Sequence, residues 1–202
     1  MFCRQCEYLD LYLIHWPVPG KHVEAYKTLL KLQKEGLVKD VGVSNYTIED
    51  FEDLKKAGIT VTPSVNQIEI NPFLNRSKTI AYMKKNGITP MAYRGLGQAT
   101  VLEHPAIVEI AKEIGHVTPA QVLGRWLVQQ DICHIPKSVQ LERMQNNADI
   151  FSFTLTPSQM NSLNSLTTNQ SLEAFRERHL RRIVGNTPLA NECTLNTHFT
   201  VE

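Results

Sequence analysis

Long apolar runs are missing from this sequence, and so is an excess of charge of either sign. No run approaches the roughly 20 apolar residues that a membrane-spanning helix needs. Lys and Arg number 21 and Asp and Glu 20, which leaves a net charge of +1, whereas a nucleic-acid-binding chain carries a strong basic bias. The first residues also lack the basic start and apolar stretch of a secretory signal. We therefore expect no membrane partner and no nucleic-acid partner.

Cysteine is scarce, with four residues at Cys3, Cys6, Cys133 and Cys193. Their scattered spacing does not suggest a disulfide framework. The pair Cys3-x-x-Cys6 would be half of a zinc or redox motif, but no second pair of ligands follows it. We therefore interpret this pair as two incidental thiols and expect no metal. The sequence predicts a reducing setting and a cytoplasmic protein.

Short apolar runs alternate with segments of helical period along most of the chain. Strands are predicted at residues 9–14, 38–43, 64–70, 88–93 and 132–135. Helix starts are indicated by Thr47 with Asp50 three residues later, and by Thr118 followed by Pro119. Strands that alternate with helices imply right-handed crossovers and a parallel sheet.

A parallel sheet is either open and doubly wound or closed into a barrel. The Gly-x-Gly-x-x-Gly pattern follows none of the predicted strands, which counts against the common open dinucleotide fold. A closed barrel needs eight strands and about 250 residues, whereas this chain has 202 residues and about five predicted strands. We therefore expect an α/β fold, a partial (β/α)8 TIM barrel over residues 1–170 whose beginning is missing. Residues 171–202 are charged and then polar, and we expect a C-terminal loop or tail there.

Polar or aromatic side chains accompany the end of every predicted strand. They are His15 and Trp16, Ser44 and Asn45, Gln67 and Glu69, Tyr93 and Arg94, and Lys137 and Ser138. Because the carboxyl ends of barrel strands form the active-site rim, we expect these groups to converge on one polar ligand. Each residue taken singly also has an ordinary structural explanation, such as packing or hydrogen bonding to loop backbone.

The last predicted strand carries a candidate anion site. Lys137 and Ser138 lie between this strand and a helix predicted at 140–147, and Arg143 is in the first turn of that helix. Free backbone N–H groups and the helix dipole favour an anion there, and the final loops of barrels often bind phosphate. Two cations and a hydroxyl suit a phosphate monoester. A solvated helix start explains the same residues, and the sequence leaves both interpretations open.

Taken together, several segments resemble the aldo-keto reductase family. These are LDLYLIHWP at 9–17, GLVKDVGVSNY at 36–46, NQIE at 66–69 with NP at 71–72, and IPKSV at 135–139 followed by ER at 142–143. They resemble the family's motifs at its fourth, fifth, sixth and eighth strands, in order and with fitting spacing. The resemblance runs from about Tyr8 to Leu166. It implies a (β/α)8 barrel that reduces aldehydes or ketones with NADPH.

The resemblance also implies a role for each matched residue. His15 would be catalytic and orient the substrate carbonyl, and Trp16 would line the substrate pocket. The implied cofactor-binding residues are Ser44, Asn45 and Gln67 at the nicotinamide carboxamide, Tyr93 stacked on its ring, Lys137, Ser138 and Arg143 at the adenosine 2′-phosphate, Asn147 near the adenine, and Arg94, Leu96 and Val139 within the same motifs.

The sequence departs from the family pattern after Tyr93 and near the position of the adenine. The family commonly has Ser-Pro-Leu-Gly where this chain has Arg94-Gly95-Leu96-Gly97. The serine's contact to the cofactor pyrophosphate is lost, and we interpret Arg94 as a charge-assisted replacement. Where the family most often has a glutamate near the adenine, this chain has Asn146.

A third departure concerns the proton donor. In the family a tyrosine, tuned by a lysine and an aspartate, protonates the alkoxide, and all three come from the first three strands. The resemblance begins at strand four, so these residues have no counterparts here. Two hypotheses follow. The chain is an oxidoreductase that lacks its N-terminal portion, or it is an inactive short form that binds a nucleotide or a protein. In the short form, two open sheet edges would favour self-association.

Overall fold

The computed structural model describes residues 6–97 and 101–185. Its elements are β1 (Leu9–Ile14), α1 (His22–Lys34), β2 (Val38–Ser44), α2 (Ile48–Lys56), β3 (Val65–Glu69), α3 (Ser77–Lys85), β4 (Thr89–Tyr93), α4 (Pro105–Ile114), α5 (Pro119–Val128), β5 (Cys133–His134), α6 (Leu141–Ala148), α7 (Pro157–Asn164) and α8 (Asn169–Gly185). All five strands run parallel and occur in the sheet in chain order, β1-β2-β3-β4-β5. The predicted alternation of strands and helices is confirmed.

The described residues divide into two compact units. Unit 1 comprises residues 6–67, 78–89 and 176–185, and unit 2 comprises residues 68–77, 90–97 and 101–175. None of the helices in the described ranges is both long and apolar enough to cross a membrane.

The sheet of unit 1 depends on a close approach between its strands. β1 pairs with β2 from Leu9 opposite Val38 to Ile14 opposite Val43. Gly42 lies in β2 where a Cβ atom would be 2.6 Å from Leu13 Cδ2 and 2.9 Å from the Val65 carbonyl oxygen. Because these distances are shorter than van der Waals contact, a side chain at this position would push the strands apart.

The helix starts predicted at Thr47 and Thr118 are confirmed, and each of them is a capping box. Thr47 Oγ1 accepts from the Asp50 backbone N–H at 3.4 Å, and Asp50 Oδ2 accepts from the Thr47 backbone N–H at 2.7 Å. Thr118 and Gln121 make the same reciprocal pair at α5. Each N-cap stabilises its helix by about 1 kcal/mol because it satisfies N–H groups that have no partner within the helix.

Unit 2 has its core between α4, α5 and α7. The fully buried side chains there include Ile107, Leu123 and Trp126, and the Trp126 indole N–H donates to Asn164 Oδ1 at 2.9 Å. β5 spans only Cys133 and His134, which pair with Met91 and Ala92 of β4, so it is shorter than the predicted 132–135. The chain beyond it reaches Pro136, which has no N–H to continue the ladder.

The prediction of a loop or tail from residue 171 is wrong for the described part of that segment. α8 spans Asn169–Gly185. Leu172, Phe175 and His179 recur at helical spacing and are at most 9% exposed. These three residues form a narrow stripe among charged neighbours, which is why the segment resembles a solvated tail in the sequence. Residues 186–202 lie outside the described residues.

Candidate functional site

In unit 1 the exits of β1, β2 and β3 are joined by hydrogen bonds. Ser44 Oγ donates to the Gln67 carbonyl oxygen at 2.7 Å, and the Asn45 backbone N–H donates to the same oxygen at 3.0 Å. Asn45 Nδ2 donates to the His15 carbonyl oxygen at 2.9 Å. The structure therefore brings His15, Ser44, Asn45 and Gln67 together.

The backbone at Asn45 is unusual for a residue other than glycine. Its φ is +61°, in the left-handed region, and the residue is 4% exposed. Asparagine tolerates this conformation better than most residues. The turn directs the buried Asn45 amide back across the exits of β1 and β2, so the backbone conformation and the hydrogen bonds fix one another.

Three aromatic rings, two that follow β1 and one from α8, lie near one another. The centroids of His15 and Trp16 are 6.0 Å apart, and the centroid of His179 lies 5.3 Å from that of Trp16. His15 is exposed and Trp16 is half-buried, whereas His179 is 4% exposed. The sequence interpretation missed His179 because it placed this segment in a tail. The helical spacing of His179 with Leu172 and Phe175 was the signal that pointed to its burial.

In unit 2 the exit of β4 carries Tyr93, Arg94 and Leu96. Arg94 has a left-handed φ of +51° and is an exposed residue. Its Nη1 lies 3.4 Å from Oε2 of Glu69, which is 7% exposed. The arginine that replaces the family's usual serine is therefore anchored to a buried carboxylate at the end of β3.

The adjacent departure from the family pattern has a steric reason. A Cβ atom on Gly95 would lie 2.5 Å from Leu127 Cδ1 and 2.9 Å from His134 Nδ1. A side chain at this position, such as the proline that the family commonly has, would require the Leu127 and His134 side chains to shift. Neither ring nitrogen of His134 has a hydrogen-bond partner among the described residues, and burial lowers the pKa of this imidazole to about 4. His134 is consequently a neutral packing residue beneath Gly95.

The segment between β5 and α6 presents two exposed cations. Lys137 and Arg143 are exposed and form no ion pair with the described residues. Ser138 Oγ accepts from the Gln140 backbone N–H at 3.2 Å and donates to the Gln140 carbonyl oxygen at 3.3 Å. The hydroxyl therefore shapes the chain just before α6. Free N–H groups in the first turn of α6 and the two cations suit an anionic group.

A groove lies beside β5 and the C-terminal end of α6. Its volume is about 740 Å³, and Asn147 lines it together with mainly apolar residues that include Met91, Ile132, Ile150 and Phe151. Val139 is 79% exposed at the entrance to α6. The residues predicted for the adenine end thus lie on an accessible surface of unit 2.

The pair Cys3 and Cys6, at which we expect no metal, lies partly outside the described residues. Cys3 is not described, and Cys6 and Cys133 are free thiols. Across residues 6–97 and 101–185 no group of three or more His, Cys, Asp or Glu residues is arranged to hold a metal ion.

Known proteins are similar to this chain over most of its length. The sequence profile described as the Aldo/keto reductase family matches residues 4–168. An uncharacterized oxidoreductase, YtbE of Bacillus subtilis, is 42% identical over 163 residues, which are 81% of this chain and 58% of the relative. An aldo-keto reductase of Mycolicibacterium smegmatis is 43% identical over 169 residues, 82% of this chain and 60% of the relative.

A solved structure shares both fold and sequence with the chain. A variant of Gox0644 in complex with NADPH has a TM-score of 0.78 and 39% identity, covering 82% of this chain and 61% of its own. This likeness confirms the predicted α/β partial barrel. The chain spans about three-fifths of the length of these relatives. The match to the family profile, together with these relatives, shows that the chain belongs to the aldo/keto reductase family.

Proposed function

We propose that this chain provides the NADPH-binding and carbonyl-orienting residues of an aldo-keto reductase that reduces aldehydes or ketones to alcohols. The observation that carries the proposal is the hydrogen-bonded cluster at the exits of β1 to β3 in a chain of this family. A related structure, that of Gox0644, holds NADPH. When bound, NADPH supplies the hydride, and the protein must fix the carbonyl beside it at near-attack distance.

The cluster of unit 1 suits the nicotinamide carboxamide. This amide needs both donors and acceptors, which Ser44, Asn45 and Gln67 carry on their side chains. The short bonds of Ser44 and Asn45 to the backbone of β3 and β1 hold those side chains before a ligand arrives. In this proposal His15 and Trp16 bind the carbonyl substrate next to that cluster.

The groups of unit 2 suit the remaining parts of the cofactor. Tyr93 offers a ring on which the nicotinamide can stack. Arg94, Leu96 and Val139 contact the phosphate and ribose region of the cofactor. The residues assigned to the adenosine end are Lys137, Ser138 and Arg143 at the 2′-phosphate and Asn147 at the adenine. Two exposed cations without ion-pair partners among the described residues favour a ligand with the additional phosphate, NADPH, over NADH.

We expect this chain to lack the proton donor that the reaction requires. Reduction of a carbonyl requires an acid that protonates the developing alkoxide. We infer that the 202 residues contain no counterpart of the family's tyrosine, lysine and aspartate. Loss of a general acid lowers the rate by roughly 10²–10⁴-fold. The chain alone is therefore expected to bind NADPH and turn over slowly.

The assay that tests this proposal separates binding from chemistry. NADPH is added to the purified chain, and quenching of tryptophan fluorescence reports binding. A reactive aromatic aldehyde is then added, and loss of the reduced cofactor's absorbance reports turnover. Trp16→Phe is the control, because Trp126 is fully buried and bonded to Asn164, so quenching should disappear with Trp16. Binding with slow turnover supports the account, absence of binding refutes it, and robust turnover refutes the inferred lack of an acid.

A second candidate function is a catalytically inactive module that binds a nucleotide or a protein. The observation that favours it is an apolar surface at β5 and α6, which we call the α6 face. Its exposed side chains are Ile135, Val139, Leu141, Met144 and Phe151, between 40% and 79% exposed. α6 has no buried residue, and β5 is an edge strand of the described sheet. Surfaces of this kind mark interaction sites.

We propose a second copy of the chain as the partner of the α6 face. An edge strand has backbone donors and acceptors that can pair with a strand of another copy, and every copy carries such an edge. Sedimentation velocity should show dimers or larger species that dissociate in Phe151→Lys. The control is Val61→Lys, because Val61 is 47% exposed and lies in unit 1. A monomer at all concentrations would contradict self-association. The cytoplasmic location stays a prediction.

A further inference from the structure

A side chain of β3 holds the turn between β2 and α2. Asn66 is fully buried, and its Nδ2 donates to the Tyr46 carbonyl oxygen at 3.0 Å. Its Oδ1 accepts from the Tyr46 backbone N–H at 3.4 Å. The side-chain amide of Asn66 therefore pairs with both backbone groups of Tyr46, as the backbone of a neighbouring strand would do.

This pairing extends the contact between β2 and β3 beyond the end of the ladder. Ser44, the last residue of β2, pairs with Gln67 of β3. The chain then turns at Asn45, whose backbone is left-handed. Because a regular ladder does not continue through such a turn, the Asn66 amide takes the place of a strand partner for Tyr46.

Asn45 is consequently fixed from both sides. Its backbone N–H donates to the Gln67 carbonyl oxygen at 3.0 Å, and its Nδ2 donates to the His15 carbonyl oxygen at 2.9 Å. On the other side, the peptide that joins Asn45 to Tyr46 carries the N–H that Asn66 accepts. The bonds to Asn66 therefore fix the plane of this peptide, and with it the direction of the Asn45 side chain.

The side chain of Tyr46 supplies no directional contact of this kind. Its ring is fully buried, with centroids 5.4 Å from that of His22 and 5.7 Å from that of Phe51. Its hydroxyl has no hydrogen-bond partner among the described residues. Burial of the ring stabilises the turn without directing it, since the hydrophobic effect has no preferred direction. The orientation of the turn thus depends on the amide of Asn66.

We propose that Asn66 is a positioning residue for the nicotinamide carboxamide, which it serves by fixing the turn that aims Asn45 at the cofactor. The inference rests on the proposed function, in which Ser44, Asn45 and Gln67 bind that carboxamide. Successive residues of a strand point to opposite faces, so β3 supplies Gln67 to the ligand and Asn66 to the turn. A side chain held before the ligand arrives loses less freedom on binding, and the ligand binds more tightly.

The test compares NADPH with adenosine 2′,5′-bisphosphate, a fragment without nicotinamide, in calorimetric titrations of the full chain. Asn66→Leu keeps the size of the side chain but cannot pair with the backbone of Tyr46. It should weaken the binding of NADPH about tenfold and leave that of the bisphosphate unchanged, because only NADPH reaches the carboxamide site. Circular dichroism checks that the variant is folded. Asn66→Ala replaces it if Asn66→Leu does not fold.

A second probe and a matched control locate the effect. In the probe, an NADPH analogue, an acetyl group replaces the carboxamide and removes its N–H donors. Asn66→Leu should weaken the binding of this analogue by about threefold or less, since part of the contact is already absent. The control is Asn86→Leu, because Asn86 Nδ2 also donates to a backbone carbonyl oxygen, that of Tyr82 at 2.8 Å, in the same unit. This control should change none of the three affinities.

The outcomes separate this inference from the proposed function. A loss confined to NADPH supports the positioning role of Asn66. Equal losses for NADPH and the bisphosphate, equal losses for NADPH and the analogue, or no loss at all would overturn that role and leave the proposed function standing. Failure of the original chain to bind NADPH overturns the proposed function and the positioning role with it.

Discussion

Asn45 Nδ2 and the backbone carbonyl oxygen of His15 are joined by a 2.9 Å hydrogen bond. This bond links the exit of β2 to the exit of β1, where the proposed carbonyl-orienting residue lies. Because Asn45 is also in the left-handed region, one residue supplies both the turn and the bond. The position of His15 relative to Ser44 and Gln67 therefore depends on Asn45.

The first prediction separates the two contributions of Asn45. Asn45→Ala should lower the free energy of unfolding by about 2 kcal/mol, because it loses a buried hydrogen bond and strains a left-handed backbone. Asn45→Gly should cost about 1 kcal/mol less than the alanine variant, since glycine adopts this φ without strain. Urea unfolding followed by circular dichroism measures both. Equal losses in the two variants would show that the backbone conformation contributes nothing.

The second prediction concerns the fit of His134 beneath Gly95. Gly95→Ala should destabilise the chain by about 2 kcal/mol, because its Cβ would overlap Leu127 and the His134 ring. In a His134→Ala background the same change should cost about 1 kcal/mol less, since one of the two obstructing groups is gone. Strictly additive losses would contradict the steric explanation of this departure from the family pattern.

The third prediction is a pH dependence that arises at Asp50. Desolvation by burial raises the pKa of this carboxyl from 3.8 to about 6. The folded state therefore binds more protons than the unfolded state between these values, and its stability falls as pH rises from about 4 to about 6. Asp50→Asn keeps an oxygen that can cap α2 and removes the titration. Between about pH 4 and pH 6 the free energy of unfolding should therefore fall in the original chain by roughly 1–3 kcal/mol more than in the variant.

The measurement is urea unfolding of both proteins at several pH values, with the difference between them plotted against pH. A difference that stays constant between pH 4 and pH 6 would show that Asp50 titrates alike in the folded and unfolded states. Groups other than Asp50 are common to both proteins and cancel in the difference.

The fourth prediction has the opposite sign and concerns His134. Burial lowers the pKa of its imidazole from 6.5 to about 4. Between these values the unfolded state binds more protons, so stability is lost as pH falls from about 6.5 to about 4. His134→Leu should remove roughly 1–3 kcal/mol of this loss. A variant whose acid sensitivity matches that of the original chain would rule out His134 as its source.

Local patterns predicted most of the fold. The capping boxes at Thr47 and Thr118 depend on residues only three positions apart, so the sequence displays them directly. The cluster at Ser44, Asn45 and Gln67 follows from one rule, that parallel strands exit at a common edge. These features need no knowledge of distant contacts, and the structure agrees with them.

The sequence interpretation missed features that depend on distant packing. Arg76 resembles a surface arginine in its local sequence, and its burial depends on Phe175 in α8. His179 was hidden among charged neighbours, and its role as a packing partner of Trp16 appears only when α8 is in place. The length of β5 depends on pairing with Met91 and Ala92, which local apolar content does not report.

In the proposed function, the cations before and within α6 select NADPH over NADH. Calorimetric titration of the purified chain with NADPH and with NADH tests it most directly, repeated on Lys137→Met with Arg143→Met and on the control Lys112→Met. We expect NADPH to bind at least about tenfold more tightly than NADH, and the double variant to lose that preference while its affinity for NADH is unchanged. Equal affinity of the original chain for the two cofactors, or an equal loss for both in the double variant, would contradict the account.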